Sequence, residues 1–96
     1  MIAARYLSIT GDVQGVGYRY SMCVQARRLQ IAGWVRNRGD GSVEAVASGK
    51  AEALDRLMQW AQQGPSGARV DAVRTRAASA AEAADVDIPF SQRPTL

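Results

Sequence analysis

Along RYLSITGDV, residues 5–13, apolar and polar residues alternate: Leu7 and Ile9 point one way, Tyr6, Ser8 and Thr10 the other. A period of two predicts a half-buried strand. QGVGYR follows, too rich in glycine for the interior of a helix or a strand. From Tyr20 the period lengthens. Met22, Cys23, Ala26 and Leu29 share one helical face, and Ser21, Gln25 and Arg28 the other. This predicts a helix ending near Gln30-Ile31, with Gly33 just beyond it. GWVRN (33–37) and SVEAVAS (42–48) read as two strands, and Asp40-Gly41 between them is a hairpin signal. Ala51, Leu54, Leu57, Met58 and Ala61 then follow the spacing of an amphipathic helix, with Glu52 and Arg56 on its exposed side and Gly64-Pro65 as its stop. ARVDAVRTRA (68–77) reads as a fourth strand whose Val70 and Val73 fall out of phase, which predicts a bulge or an edge position. SAAEAAD (79–85) reads as a small polar loop, and PFSQRPT (89–95) can add a short edge strand.

The order strand, helix, strand, strand, helix, strand predicts an α+β, ferredoxin-like split βαβ (βαββαβ) sandwich. In it an antiparallel sheet carries two helices on one face. No repeat or interdomain linker divides the chain, so residues 1–96 are expected to form one domain. This fold hosts RNA binders, metal carriers and enzymes, and leaves function open.

Composition narrows the chemistry. The 96 residues suit one modest core, and 47% hydrophobic with 22% charged residues reads as an ordinary soluble globular protein. No apolar run is long enough to span a bilayer, and MIAARYLSIT carries no long apolar core or cleavage pattern, so neither membrane insertion nor an export signal is expected. The single cysteine, Cys23, excludes an internal disulfide and fits a reducing compartment, so a cytoplasmic location is expected, although an exported protein can simply lack cysteines. Cys23 lies on the apolar side of its helix, and the chain has no histidine to activate it; it reads as a small core residue. The same lack of histidine excludes a Ser-His-Asp triad, a Cys-His dyad and a histidine base, and leaves too few ligands for structural zinc. Arginine, asparagine, backbone amides and carboxylates remain. A net charge of +3 favours anionic ligands without naming one. Arg27, Arg28, Arg56 and Arg69 read as solvated charges.

GDVQGVGYRY, residues 11–20, runs from the first strand into the first helix. Backbone N–H groups in a glycine-rich turn can converge on an anion, and a helix beginning there adds its own free N–H groups and the positive end of its dipole. Arg19 at the helix start can offer a planar fork to phosphate oxygens. A Rossmann fingerprint would need glycine at position 20, where Tyr20 stands, and a Walker loop would need Gly-Lys-Ser/Thr, whereas the only lysine is Lys50. By themselves the glycines fit equally a tight strand-to-helix turn that serves packing alone.

Two separate runs make the pattern specific. Gly11-x-Val13-Gln14-Gly15-Val16-Gly17-Tyr18-Arg19 resembles the signature of the acylphosphatase family. Gly33-Trp34-Val35-Arg36-Asn37-x-x-Asp40-Gly41-x-Val43-Glu44 is similar to that family's second signature, and Gly64-Pro65, Ala68-x-Val70 and Phe90-x-x-Arg93-Pro94-Thr95 match its layout. The resemblance covers nearly the whole chain. It implies the same split βαβ fold with a short extra C-terminal strand, and hydrolysis of the carboxyl-phosphate bond of acyl phosphates to a carboxylate and inorganic phosphate, without metal, cofactor or histidine. It further implies that Arg19 is the catalytic arginine that binds phosphate and Asn37 the catalytic asparagine that orients water. The amides of Gln14, Gly15, Val16, Gly17 and Tyr18 would hold the remaining phosphate oxygens. The expected partner is a small-molecule acyl phosphate, with no nucleic acid and no membrane, and the expected state is a monomer.

Physical chemistry agrees with that assignment. An acyl phosphate already has a weakly basic carboxylate as its leaving group, so a site without a general acid suffices. Phosphoryl transfer is mostly positioning and charge stabilisation. Asn37 has both a donor and an acceptor and can aim a water, although as a lone residue it reads equally as a strand-end cap. Asp12 stands where the family often has a basic residue, and opposes an anionic substrate if it points inward; strand alternation sets it opposite Val13, toward solvent. Thr10 occupies a place often held by histidine or serine. Tyr18 and Tyr20 flank the arginine and read first as packing residues. Trp34 also reads as packing, Trp60 as partly exposed, and Glu44 as able to pair with an arginine across the hairpin. An RNA-recognition domain on this fold would carry stacking aromatics on its middle strands, and VEAVAS has none. A family member that binds an acyl phosphate without turning it over would keep the same residues.

Overall fold

The computed structural model describes all 96 residues, Met1 to Leu96. Strand β1 covers Ile2–Asp12 and leads through the glycine loop into helix α1, Tyr18–Arg28. The hairpin β2 (Ala32–Asn37) and β3 (Val43–Lys50) follows, then helix α2 (Ala51–Ala61) and strand β4 (Arg69–Ala77). A short helix α3 (Ala80–Ala84) and strand β5 (Ser91–Gln92) complete the chain. The sheet order is β4-β1-β3-β2-β5. The four central and outer strands pair antiparallel, as the split βαβ order requires, while β5 joins β2 in parallel and makes the sheet mixed at that edge.

Alternation along the strands decides the core. Leu7 and Ile9 of β1, Val35 of β2 and Val43, Ala45 and Ala47 of β3 face α1 and α2 and are buried with Met22, Cys23, Ala26, Leu54, Leu57 and Ala61. Enclosing a Leu, Ile or Met side chain this fully stabilises the fold by about 1.5–3 kcal/mol each. Cys23 is a buried free thiol, and burial raises its pKa against the pull of Arg27 and Arg19, as a core residue should behave. Strand β4 is both an edge and bulged: Gly11 opposes Val70 while Thr10 opposes Ala72, leaving Asp71 as the extra residue.

Three expectations change. Helix α1 starts earlier, at Tyr18, and stops at Arg28. Its left-handed cap is Gln30 (φ 58°), with the Gln30 N–H on Arg27 O and the Ile31 N–H on Ala26 O, a Schellman pairing. Gly33 is instead a strand residue: a Cβ there would sit 1.9 Å from the carbonyl oxygen of Val46. Residues 79–85 are not simply a loop. Ser79 and Glu82 form a reciprocal capping box that starts α3, a pattern read from residues three apart that hydrophobic periodicity does not register.

Helix α3 packs on β3 and β1 from the side opposite α1 and α2, so the second face of the sheet is partly covered as well. Val46, out of phase with Ala45 and Ala47, is fully buried there. Trp34 lies across the strand from Val46, donates its indole N–H to Asp85 O at 3.1 Å and has the guanidinium groups of Arg36 (4.6 Å) and Arg93 (5.0 Å) over its ring. Glu44 is buried on this face and accepts from Tyr6 Oη and Arg36 Nε, both at 2.6 Å. Burial opposes its charge, but the hydrogen bonds from Tyr6 and Arg36 outweigh it and hold the carboxyl below its usual range. Glu44 thus pairs across the hairpin as its position suggested.

Candidate functional site

Past Asp12 the chain leaves β1 and turns within a few residues into α1. Gly15 (φ 73°) and Gly17 (φ 81°) take left-handed conformations while Gln14 and Val16 do not. That alternation of sign turns successive N–H groups toward a common side. Gly17 is also the N-cap of α1 and has no side chain to cap the first turn. As a result no backbone N–H from Gln14 to Tyr20 finds an acceptor within the protein; the first that does is Ser21, on Gly17 O at 3.0 Å. Free amides at a helix start form a site for negative charge.

Arg19 stands among these donors. It forms no ion pair, whereas Arg36, Arg69, Arg76 and Arg93 are all engaged with carboxylates. Arg19, Gly15, Gly17 and Tyr18 line one small hollow of about 90 Å³, with Val13, Tyr20 and Gln92. Larger hollows lie elsewhere, one of about 290 Å³ beside Arg27 and Ile88, but they are lined by none of these donors. An oxyanion requires converging donors more than volume, which favours the small one.

Tyr18 fixes the helix start. Its ring is buried against Trp60, with centroids 5.3 Å apart, and its hydroxyl donates to Ala61 O at 2.8 Å. Burial pushes the phenol pKa up, so it stays a neutral donor. A Cβ on Gly64 would lie 2.8 Å from this ring, so the glycine after α2 makes room for it. Trp60 is partly buried, and Tyr20 is two-thirds exposed at the rim.

Asn37 closes β2, opposite Val43. It does not line the hollow around Arg19. Beyond β5 the chain continues along β2, with the Arg93 N–H on Val35 O (2.9 Å) and the Leu96 N–H on Asn37 O (3.1 Å), so the Asn37 backbone is held from both sides. Its side-chain Oδ1 is buried and has no hydrogen-bond partner. A buried acceptor left unpaired costs about 1–3 kcal/mol.

Two contacts that periodicity did not reveal link the loop to the strand and turn around Asn37. Gln92 of β5 borders the Arg19 hollow and pairs with Val35, two residues before Asn37. The side chain of Gln14 reaches the hairpin turn after Asn37, where its Nε2 donates to Arg38 O (2.8 Å) and Ser42 O (2.9 Å). Val16 lies in the loop without lining the hollow. Asp12 is exposed and faces Arg69 at 3.7 Å, outside the hollow, as strand alternation predicted.

The chain is thus a ferredoxin-like α+β sandwich with free amides and an arginine that forms no ion pair at its first strand-to-helix turn. Comparison with known proteins narrows this. The acylphosphatase family model matches residues 5–88, and the chain belongs to the acylphosphatase family, hydrolases that act on acyl phosphates. It is 52% identical over 92 residues to an acylphosphatase of Acidovorax sp. (strain JS42), covering 96% of this chain and 91% of that protein. It is 48% identical over 94 residues to one of Nitrobacter hamburgensis, covering 96% and 95%. The crystal structure of the Bacillus subtilis acylphosphatase superposes with a TM-score of 0.85 at 31% identity, covering 97% of this chain and 99% of that one.

Proposed function

We propose that the chain hydrolyses acyl phosphates with Arg19 and the Gln14–Tyr18 amides binding the phosphoryl group and Asn37 orienting the attacking water. The water oxygen bonds to phosphorus while the bond from phosphorus to the acyl oxygen breaks. The electron pair leaves with the carboxylate, and the water's proton passes to a phosphoryl oxygen, giving inorganic phosphate. Negative charge on the equatorial oxygens meets the guanidinium and the free amides, which need no reorganisation during the reaction. The side-chain amide of Asn37, with a donor and an acceptor, would give the attacking water a fixed direction. No metal or cofactor takes part in this scheme.

The observation that carries the reading is the coincidence, in one loop, of unpaired amides with an unpaired arginine. We also read the protein as a cytoplasmic monomer. Its one cysteine forms no internal disulfide, which fits a reducing compartment.

The test is Asn37→Ala assayed with benzoyl phosphate. Turnover should fall about 100-fold, the scale of a misdirected attack, while inorganic phosphate binds as before. Undiminished turnover would remove Asn37 from the mechanism.

A further inference from the structure

We propose that the side chain of Gln14 is a positioning residue that sets the distance and angle between the amide cradle and Asn37. This rests on the mechanism above and adds to Gln14 a role its backbone N–H does not have.

Both partners of the Gln14 amide are carbonyl oxygens, so its NH₂ faces the hairpin and both its hydrogens are used. Arg38 O and Ser42 O lie on the two sides of the β2–β3 turn. Each is already engaged within that turn: the Gly41 N–H donates to Arg38 O (3.2 Å), and the Arg38 N–H to Ser42 O (2.8 Å). Asp40 Oδ1 closes the turn further by accepting from the Ser42 N–H (2.9 Å) and hydroxyl (2.6 Å). The hairpin therefore holds itself together without Gln14. Gln14 takes the second lone pair of each carbonyl, and what it adds is a tie between two separate pieces of chain.

That tie is placed where the sheet no longer supplies one. The last β1–β3 ladder pair is Ile9 with Val43, and no other side-chain hydrogen bond joins residues 14–17 to the 37–42 hairpin. On one side of the bridge the cradle amides begin at Gln14 itself. On the other, Asn37 is the residue immediately before Arg38. Displacements of about 1 Å between a bound phosphoryl group and the group aiming its nucleophile are enough to cost about 100-fold in rate.

The experiment is a double-mutant cycle with benzoyl phosphate, alongside inorganic phosphate binding. Gln14→Met keeps the length and removes both donors. It should lower kcat on the order of 10- to 100-fold, with KM and phosphate affinity within about threefold. In an Asn37→Ala background the same change should have almost no effect on kcat, because the group it positions is gone. An equal loss in both backgrounds overturns the proposal while leaving the mechanism intact. Undiminished turnover of Asn37→Ala alone overturns the mechanism first. Gln14→Glu supplies a second readout that holds even if Gln14→Met does not fold. Its carboxylate has no donor, but protonation restores one, so its kcat relative to the unaltered protein should rise as pH falls. A ratio independent of pH counts against the proposal.

Discussion

On the sheet face opposite α1 and α2, Arg36, Arg76 and Arg93 are each engaged with carboxylates. Arg36 and Arg93 both stack on Trp34, Arg36 also holds Glu44, and Arg76 lies 4.2 Å over the Tyr6 ring while gripping Glu82 at 2.8 Å. At the first strand-to-helix turn, Arg19 has no carboxylate and stands among amides that also have no acceptor. The residue type is the same in both regions; the local balance of donors and acceptors differs. Where acceptors match donors, arginine fastens the fold. Where donors outnumber acceptors, the surplus is available to an anion from outside, and the proposed mechanism puts the phosphoryl group there.

The contrast can be broken most directly at Arg19. Arg19→Ala should cut kcat/KM for benzoyl phosphate by about 1000-fold, roughly 4 kcal/mol of transition-state stabilisation, and weaken phosphate binding. Its thermal midpoint should barely change, since no internal partner is lost. A large loss of stability with activity retained would make Arg19 one more structural arginine.

Glu44→Gln probes the paired arginines. Removing the charge that holds Arg36 should destabilise the protein by about 2 kcal/mol in urea unfolding, with Arg36 partly exposed and so only partly stranded. Hydrolysis should be unaffected at temperatures where the variant is folded; a selective loss of kcat would show that the two regions are coupled.

Tyr18 sharpens the comparison because it belongs to the loop yet is internally paired. Tyr18→Phe leaves Ala61 O without its donor and should cost about 1 kcal/mol, with KM little changed because the ring still packs on Trp60.

The smallest effect concerns α3. Hydrogen bonds from Arg76 and from the Ser79 N–H hold the Glu82 carboxyl at about 2, against an ordinary value of 4.5. Its folded-state value is the lower one, so its stabilising contribution is complete above 4.5 and is lost as pH falls toward about 2. The difference in melting temperature between the protein and Glu82→Gln should therefore shrink over that window and vanish below it. The pair is exposed, and added salt should diminish the same difference.

Much of this was legible in the chain. Leu7 and Ile9, the Met22-Cys23-Ala26 face and the Leu54-Leu57-Ala61 face each reported one buried side of an element, because burial of one face imposes a period of two or 3.6 on the sequence. Other features leave no such mark. Helix α3 is too short for a stripe, and the Gln30 cap is a backbone conformation adopted without the glycine that would signal it. Val46 was simply another apolar strand position until α3 was seen to cover the second face.

The candidate site divides in the same way. Its local half, the loop from Gln14 to Arg19, was written in residues that adjoin one another: glycines set the signs of φ, the helix start exposes N–H groups, and an arginine follows. Those are properties of neighbouring atoms, so sequence by itself determined them. That Asn37 keeps an unpaired buried oxygen, that Gln92 borders the Arg19 hollow and that the Gln14 amide bridges to Arg38 and Ser42 was decided only by the tertiary structure. Each depends on where strands far apart in the chain come to lie. Their pairing is set by the summed burial of the core, and no single residue carries that sum.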